Sequence, residues 1–143
     1  MTKNLKKMDK NLYQTHWYSK HEEIGDKVLN WCWDTLGSSK FQSHEAPDIY
    51  YDLSISDLLG EWVSSDNEIT IYVGEIHDLE EYIQTIIHEY IHYLQSSTWY
   101  TRHWNRMRID FIAGKDYFSH PYEAEAEEAA VKYWKVCKKD IMK

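Results

Sequence analysis

The stretch DLEEYIQTIIHEYIHYLQSS, from Asp78 to Ser97, decides how the rest of the chain is interpreted. Asp78, followed three residues later by Glu81, is typical of a helix start. When each residue is given 100° of rotation, the apolar side chains fall in one arc, as expected for an amphipathic helix. That arc contains Leu79, Ile83, Ile86, Ile87, Tyr90 and Leu94. We therefore predict a helix here that packs this arc against the core.

Two histidines of this helix, His88 and His92, lie on the side opposite the apolar arc, together with Thr85 and Glu81. Residues four apart on a helix project from one face, so both imidazoles can reach a single zinc ion. Glu89, directly after the first histidine, would lie beside the metal, where a carboxylate can take a proton from a water. The sequence thus predicts His88 and His92 as metal ligands and Glu89 as the catalytic base.

Length and composition limit what the whole chain can be. Its 143 residues suit a single domain, 1–143, with 1–14 as a loose polar arm. The formal net charge of −8 argues against nucleic-acid binding, which normally needs a basic surface. No apolar run is long enough for a signal peptide or a membrane span, so we expect a cytoplasmic monomer without membrane partners. Cys32 and Cys137 are expected to be buried free thiols.

Patterns before the motif predict one helix and a small sheet. Ser19 and Glu22 have the spacing of a capping box, and apolar residues then recur at helical spacing up to a glycine–serine stretch. Three stretches are predicted to be strands, residues 48–54, 58–64 and 68–74. We expect a small antiparallel sheet of about three strands, with one face on the core.

A glutamate-bearing helix is predicted at the end of the chain, beginning at Pro121. Between it and the motif, residues 99–111 are predicted to form a further helix and 114–119 a loop. Rotation places Glu123 and Glu127 on the same face as the apolar residues that follow. Those residues are Ala130, Trp134, Cys137 and Ile141. The predicted fold class is therefore α+β, with the sheet packed on the motif helix between an N-terminal and a C-terminal helix.

Buried carboxylates on this last helix need partners, because an unpaired buried charge is costly. A zinc ion and its ligand histidines would supply them. Glu123 is the better third ligand, since Glu125 points the other way. We predict Glu123 as the ligand that completes the site.

The pair of motifs resembles that of small gluzincin-type zinc metallopeptidases, in which an HExxH helix and a glutamate from a later helix bind the metal. The run PYEAEAEEAA, from Pro121, is similar to the pattern that follows HExxH in ImmA/IrrE-like, phage-type and minigluzincin peptidases. Glu123 follows His92 by 31 positions (123 − 92), a spacing compatible with that group. The resemblance covers roughly residues 48–135, and the histidine-rich metzincin continuation is absent.

What the resemblance implies is a single minimal zinc-peptidase domain with one zinc ion per chain. The reaction would be zinc-dependent peptide-bond hydrolysis by a metalloendopeptidase, with Glu89 as general base and a peptide or protein as substrate. In such families the residue four after the ligand glutamate orients a ligand histidine, and here that residue is Glu127. Candidate donors to the developing oxyanion are Tyr117, His120, Tyr122, Arg102 and His103. The strand 68–73, if it forms the sheet edge beside the cleft, would hold an extended peptide.

Two other interpretations stay open at the level of sequence. One is a non-catalytic zinc-binding regulatory or interaction protein that retains the peptidase scaffold, its metal closed off by a fourth ligand such as His120 or His103. The other is a chance occurrence of the motif, which fixes only three positions in a chain with 8 histidines. Glu89 argues against the first, because a structural zinc site needs no base.

Overall fold

A computed structural model of the protein describes residues 16–38, 45–54, 56–95 and 121–142. In chain order these form α1 (His21–Leu36), β1 (Asp48–Asp52), β2 (Gly60–Val63), β3 (Glu68–Tyr72), α2 (Leu79–Gln95) and α3 (Pro121–Ile141). The predicted α+β class is confirmed. The predicted arm 1–14, helix 99–111 and loop 114–119 lie outside the described residues.

The three-stranded sheet has the order β1-β3-β2, with β3 in the centre. β2 and β3 form the predicted antiparallel pair, joined by a tight turn in which Asn67 is left-handed with φ 49°. The prediction of a wholly antiparallel sheet is wrong for β1, which pairs parallel with β3. The physical reason is the connection: residues 53–67, including β2, carry the chain to the far side of β3 and back, as a parallel pair requires.

The first turns of α1 and α2 differ in how closely they follow the helix-start signals in the sequence. At α2 the Asp78 carboxylate accepts the backbone N–H of Glu81 at 2.8 Å, as the helix-start signature predicts, and Glu81 Oε1 accepts the N–H of His77, one residue before the N-cap, at 3.1 Å. At α1 the predicted box does not form, because the Ser19 hydroxyl donates to the carbonyl of His16 at 2.8 Å. Residues 16–19 make a helical turn of their own before α1.

The core lies between the inner face of the sheet and α2, with α1 and α3 packed against the same helix. The fully buried core residues of the sheet include Ile69 and Ile71 of β3. From α2 they are Tyr82, Ile83, Ile86, Ile87, Tyr90 and Tyr93. Each such aliphatic side chain contributes about 1.5–3 kcal/mol on burial. Cys32 and Cys137 are buried free thiols, as predicted. Within the described ranges, no helix is long and apolar enough to cross a bilayer.

Candidate metal centre

Two elements bring three ligand-type side chains to one point. α2 presents His88 and His92 one turn apart, and α3 brings Glu123 to meet them. α3 can approach closely because the residues that face α2 after Glu123 are the small, buried Ala126 and Ala130. One Glu123 oxygen lies 2.9 Å from His88 Nε2, and the other lies 2.9 Å from His92 Nε2. The two Nε2 atoms are 3.2 Å apart. This group could hold a metal ion.

The spacing of these atoms suits a small tetrahedral cation. Ligand atoms about 2.0–2.1 Å from zinc at tetrahedral angles lie roughly 3.3 Å from one another. The two Nε2 atoms are 3.2 Å apart, close to this value, and each lies 2.9 Å from a different oxygen of Glu123. Two imidazole nitrogens and a carboxylate are also a donor set that zinc accepts, and the residues present therefore fit that ion.

The second nitrogen of each imidazole has its own partner. Gln95 Oε1 lies 2.8 Å from His92 Nδ1, while the Gln95 amide nitrogen donates to the carbonyl of Tyr122 at 3.3 Å. Because the amide nitrogen is used there, its oxygen must accept, so His92 Nδ1 carries the proton. Glu127 Oε2 lies 3.2 Å from His88 Nδ1 and, as a carboxylate oxygen, accepts a hydrogen bond from that nitrogen. In the neutral rings this leaves a lone pair on each Nε2, as metal ligation needs, whereas the hydrogen bond of His88 Nε2 with Glu123 belongs to the protonated ring.

The two glutamates predicted to share the buried face of α3 differ in exposure. The Glu123 side chain is 10% exposed, whereas that of Glu127 is 64% exposed. Glu127 therefore contacts His88 from the solvent side, and the prediction that it is buried is wrong. Its contact with His88 is nevertheless the one that the resemblance implies. Glu125, which was predicted to point away, is exposed.

Glu89 is a buried carboxylate with an unused oxygen. The residue is 5% exposed, and its Oε2 has no hydrogen-bond partner among the described residues. Burial raises the pKa of Glu89, and the nearby His92 and His88 counteract only part of that effect. Burial alone would lower the pKa of His88, but its hydrogen bond with Glu123 and the surrounding carboxylates raise it overall. A buried, unpaired oxygen is costly, which suggests that it serves a ligand.

An open cleft of about 830 Å³ gives access to this centre. Its walls are β2 on one side and α2 and α3 on the other. The condition under which the strand at 68–73 would hold a peptide is not met, because β3 is paired on both sides and β2 is the edge strand beside the cleft. A side-chain carbon at Gly60 would come within 3.2 Å of Glu89 Cγ and 3.0 Å of Thr85. Glycine there lets the edge strand lie directly over Glu89.

Only one of the predicted oxyanion donors falls within the described residues. The Tyr122 ring is stacked on that of His92, with centroids 4.1 Å apart and planes 19° apart, and the residue lines the cleft. The other candidates, Tyr117, His120, Arg102 and His103, lie outside the described ranges.

Sequence reasoning missed two residues of the site. Gln95 lies three positions after His92, on the same face of α2, so its spacing could have indicated a contact with that histidine. Gly60 gave a weaker signal, since a glycine inside a strand pattern marks a close approach of backbone to another group. The group that approaches is set by tertiary packing.

No family model, curated protein or solved structure matches this chain.

Proposed function

We propose that the chain is a zinc-dependent metalloendopeptidase in which His88, His92 and Glu123 bind the zinc and Glu89 is the general base. The observation that carries this proposal is the convergence of two imidazole Nε2 atoms and one carboxylate beside a buried carboxylate with an unpaired oxygen. A purely structural zinc site is usually closed by a fourth protein ligand and has no use for such a base. The resemblance of both motifs to gluzincin-type peptidases points the same way.

The chain's own residues account for positioning and proton transfer. When bound, a zinc ion would polarise a carbonyl group and acidify a water molecule. Glu89 takes the proton of the attacking water on its free oxygen and passes it to the amine that leaves. Gln95 and Glu127 hold His92 and His88 in the tautomer that keeps their Nε2 lone pairs available. Tyr122, on the cleft wall, is the donor candidate for the developing oxyanion within the described chain.

The substrate would lie as an extended strand along the free edge of β2. The Tyr72 N–H donates to the carbonyl of Leu59 at 2.9 Å, so this directly opposed pair is a hydrogen-bonded one. Because such pairs alternate along an antiparallel ladder, Gly60 and Trp62 direct their backbone N–H and C=O groups away from β3. No other strand in the described ranges pairs with that side. A peptide bonded to Gly60 would run about 4.8 Å to the side of the backbone that lies over Glu89.

The decisive test is the change Glu89→Gln in the zinc-loaded protein, assayed against a mixture of fluorescence-quenched peptides. Loss of the general base should lower kcat/KM at least about 100-fold, and up to about 10,000-fold, while one zinc per chain is retained. Metal content is measured on the same samples by elemental analysis.

Glu80→Gln is the matched control, because it makes the same chemical change on an exposed position of the same helix. It should leave both zinc and cleavage unchanged. Parent protein that takes up no zinc under loading conditions would refute the proposal. Parent protein that binds zinc and cuts nothing would favour the non-catalytic zinc-binding protein instead.

A further inference from the structure

The side chain of Glu61 lies where a peptide along β2 would meet it most closely. Gly60 and Trp62 face α2, as the edge-to-face contact of Trp62 with Tyr93 at 5.4 Å indicates, so Glu61 faces the outer side of the sheet. For a peptide bound antiparallel to β2, the position opposite Glu61 on the free edge is a pair without hydrogen bonds between its two residues. Such pairs bring Cα atoms to about 4.5 Å and their side chains closest together.

Glu61 is held in place on that outer face. The Tyr72 hydroxyl donates to Glu61 Oε1 at 2.8 Å across the β2–β3 pair. This hydrogen bond is the main reason why the pKa of Tyr72 is raised to about 12. The carboxylate therefore has a defined position from which to meet a side chain of the bound strand.

The outer face of the sheet is acidic and has no compensating cation in its strands. By alternation it carries Asp48 and Asp52 of β1, Glu61 of β2 and Glu68 of β3. None of the three strands contains a lysine or arginine. Tyr50, on the same face, is 57% exposed and offers an aromatic surface that a cation can contact.

The cleft side of the same edge has the same sign of charge. Besides Glu61, five carboxylates line the cleft, against the two positive charges that a zinc ion would bring, and no described residue lining it is a lysine or arginine. Independently of this charge, the buried and unpaired oxygen of Glu89 lies in the cleft wall beneath Gly60 and lacks a partner there. The cleft is thus built to receive a ligand, and both faces of a strand bound in it would meet negative charge.

We propose that the substrate is a basic extended peptide, with a lysine or arginine opposite Glu61, and that Glu61 is a specificity-determining residue. The inference rests on the proposed function for the place where the peptide binds. Recognition by Glu61 needs no hydrolysis, so the two can be tested separately.

The test measures peptide binding to the zinc-loaded Glu89→Gln protein, in which peptides survive the experiment. Three fluorescently labelled nine-residue peptides alternate valine with lysine, glutamine or glutamate, and Kd is measured by anisotropy. The lysine peptide should bind about 5-fold more tightly than the glutamine peptide, and the glutamate peptide more weakly than both. When Glu61→Gln is combined with Glu89→Gln, the Kd of the glutamate peptide divided by that of the lysine peptide should fall about 3-fold. Glu61→Lys should lower this Kd ratio further.

Asp48→Asn is the matched control, since it removes the same charge from the same face but on β1, two strands and about 10 Å from the free edge. Asp48→Asn should change the Kd ratio between the glutamate and lysine peptides little. In the protein that retains Glu61, the preference for the lysine peptide should shrink in high salt. Equal binding of the three peptides, no binding of any, or equal effects of the Glu61 and Asp48 changes would overturn the inference. A lysine preference in a parent protein that cuts no peptide would instead refute the peptidase and leave the recognition intact.

Discussion

Two polar clusters pack against α2, and they differ in whether the protein completes them by itself. The first, which we call the tyrosine cluster, consists of Tyr51, Tyr82 and Asp26 and lies beside Gly25. Tyr51 donates to Asp26 at 2.7 Å, and the Tyr82 hydroxyl donates to the carbonyl of His21. Burial, and then the contact with Asp26, raise the pKa of Tyr51 and keep its hydroxyl protonated. Every hydroxyl of this cluster has a protein acceptor.

The candidate metal centre, by contrast, contains a group for which the described residues supply no partner. Its histidine and glutamate ligand atoms crowd within 4.8 Å of one another, and Glu89 Oε2 nearby has no described partner. A cluster whose groups all have protein partners stabilises the fold, whereas converging ligand-type atoms beside an unpartnered carboxylate oxygen could be stabilised further by a cation. Mutations in the two clusters should therefore change different quantities. In the tyrosine cluster they should change the stability of the metal-free protein, and in the metal centre they should change metal affinity.

The largest effect should come from Glu123→Ala, which removes a ligand from the metal centre. Zinc affinity should fall on the order of a thousandfold or more, because two ligands on one helix remain where three were held by two helices. The stabilisation of the parent protein by zinc, seen as a rise in Tm, should disappear with it. Competition titration with a chromogenic chelator measures the affinity. Glu125→Ala, an exposed change two residues away, is the control and should bind zinc like the parent.

Gly25→Ala tests the other side of the comparison. A side-chain carbon there would overlap the Tyr51 hydroxyl and lie 2.6 Å from that of Tyr82, so two hydrogen-bonded rings must shift. We expect a loss of about 2–3 kcal/mol in the free energy of unfolding of the metal-free protein, despite the better helix propensity of alanine. Urea denaturation measures this loss.

Zinc affinity of the folded Gly25→Ala protein should stay within about 2-fold of the parent, since the tyrosine cluster does not contact the metal ligands. Asn30→Ala, at an exposed position of α1, is the matched control and should not destabilise. A Gly25→Ala protein that is as stable as the parent, or that loses zinc while folded, would contradict the distinction between the clusters.

The two clusters also differ in how far the sequence predicts them. The residues of the candidate metal centre have local signals, because helix geometry puts His88 and His92 on one face of α2 and turns Glu123 inward on α3, while the packing of α3 on α2 brings them together. Tyr51 and Asp26 come from a strand and a distant helix and meet only after the sheet has packed on α1. No local pattern relates those two residues.

In the sheet, too, the sequence predicts the local contacts but not those that depend on tertiary packing. The turn between β2 and β3 has a local signal, and that pair is antiparallel as predicted. The position of β1 depends on how residues 53–59 cross the end of β3, and nothing in their sequence fixes it. This single topological choice makes β2 the edge strand, and it decides which backbone and which carboxylate, that of Glu61, adjoin the cleft.

The smallest effect is expected at Glu127, which belongs to the metal centre but is largely exposed. It contacts His88 Nδ1 from the solvent side, so water can replace it in part. Glu127→Ala should weaken zinc binding about 10-fold, at the lower end of the range for residues that support a ligand histidine. Glu127→Gln keeps an oxygen acceptor and should recover part of that loss, whereas Glu128→Ala, exposed on the next position, should change nothing. Because the contact orients a ligand without contributing to the core, the metal-free stability of all three variants should equal that of the parent. If Glu127→Ala destabilised the metal-free protein while binding zinc normally, Glu127 would act as the tyrosine cluster does, as part of the scaffold.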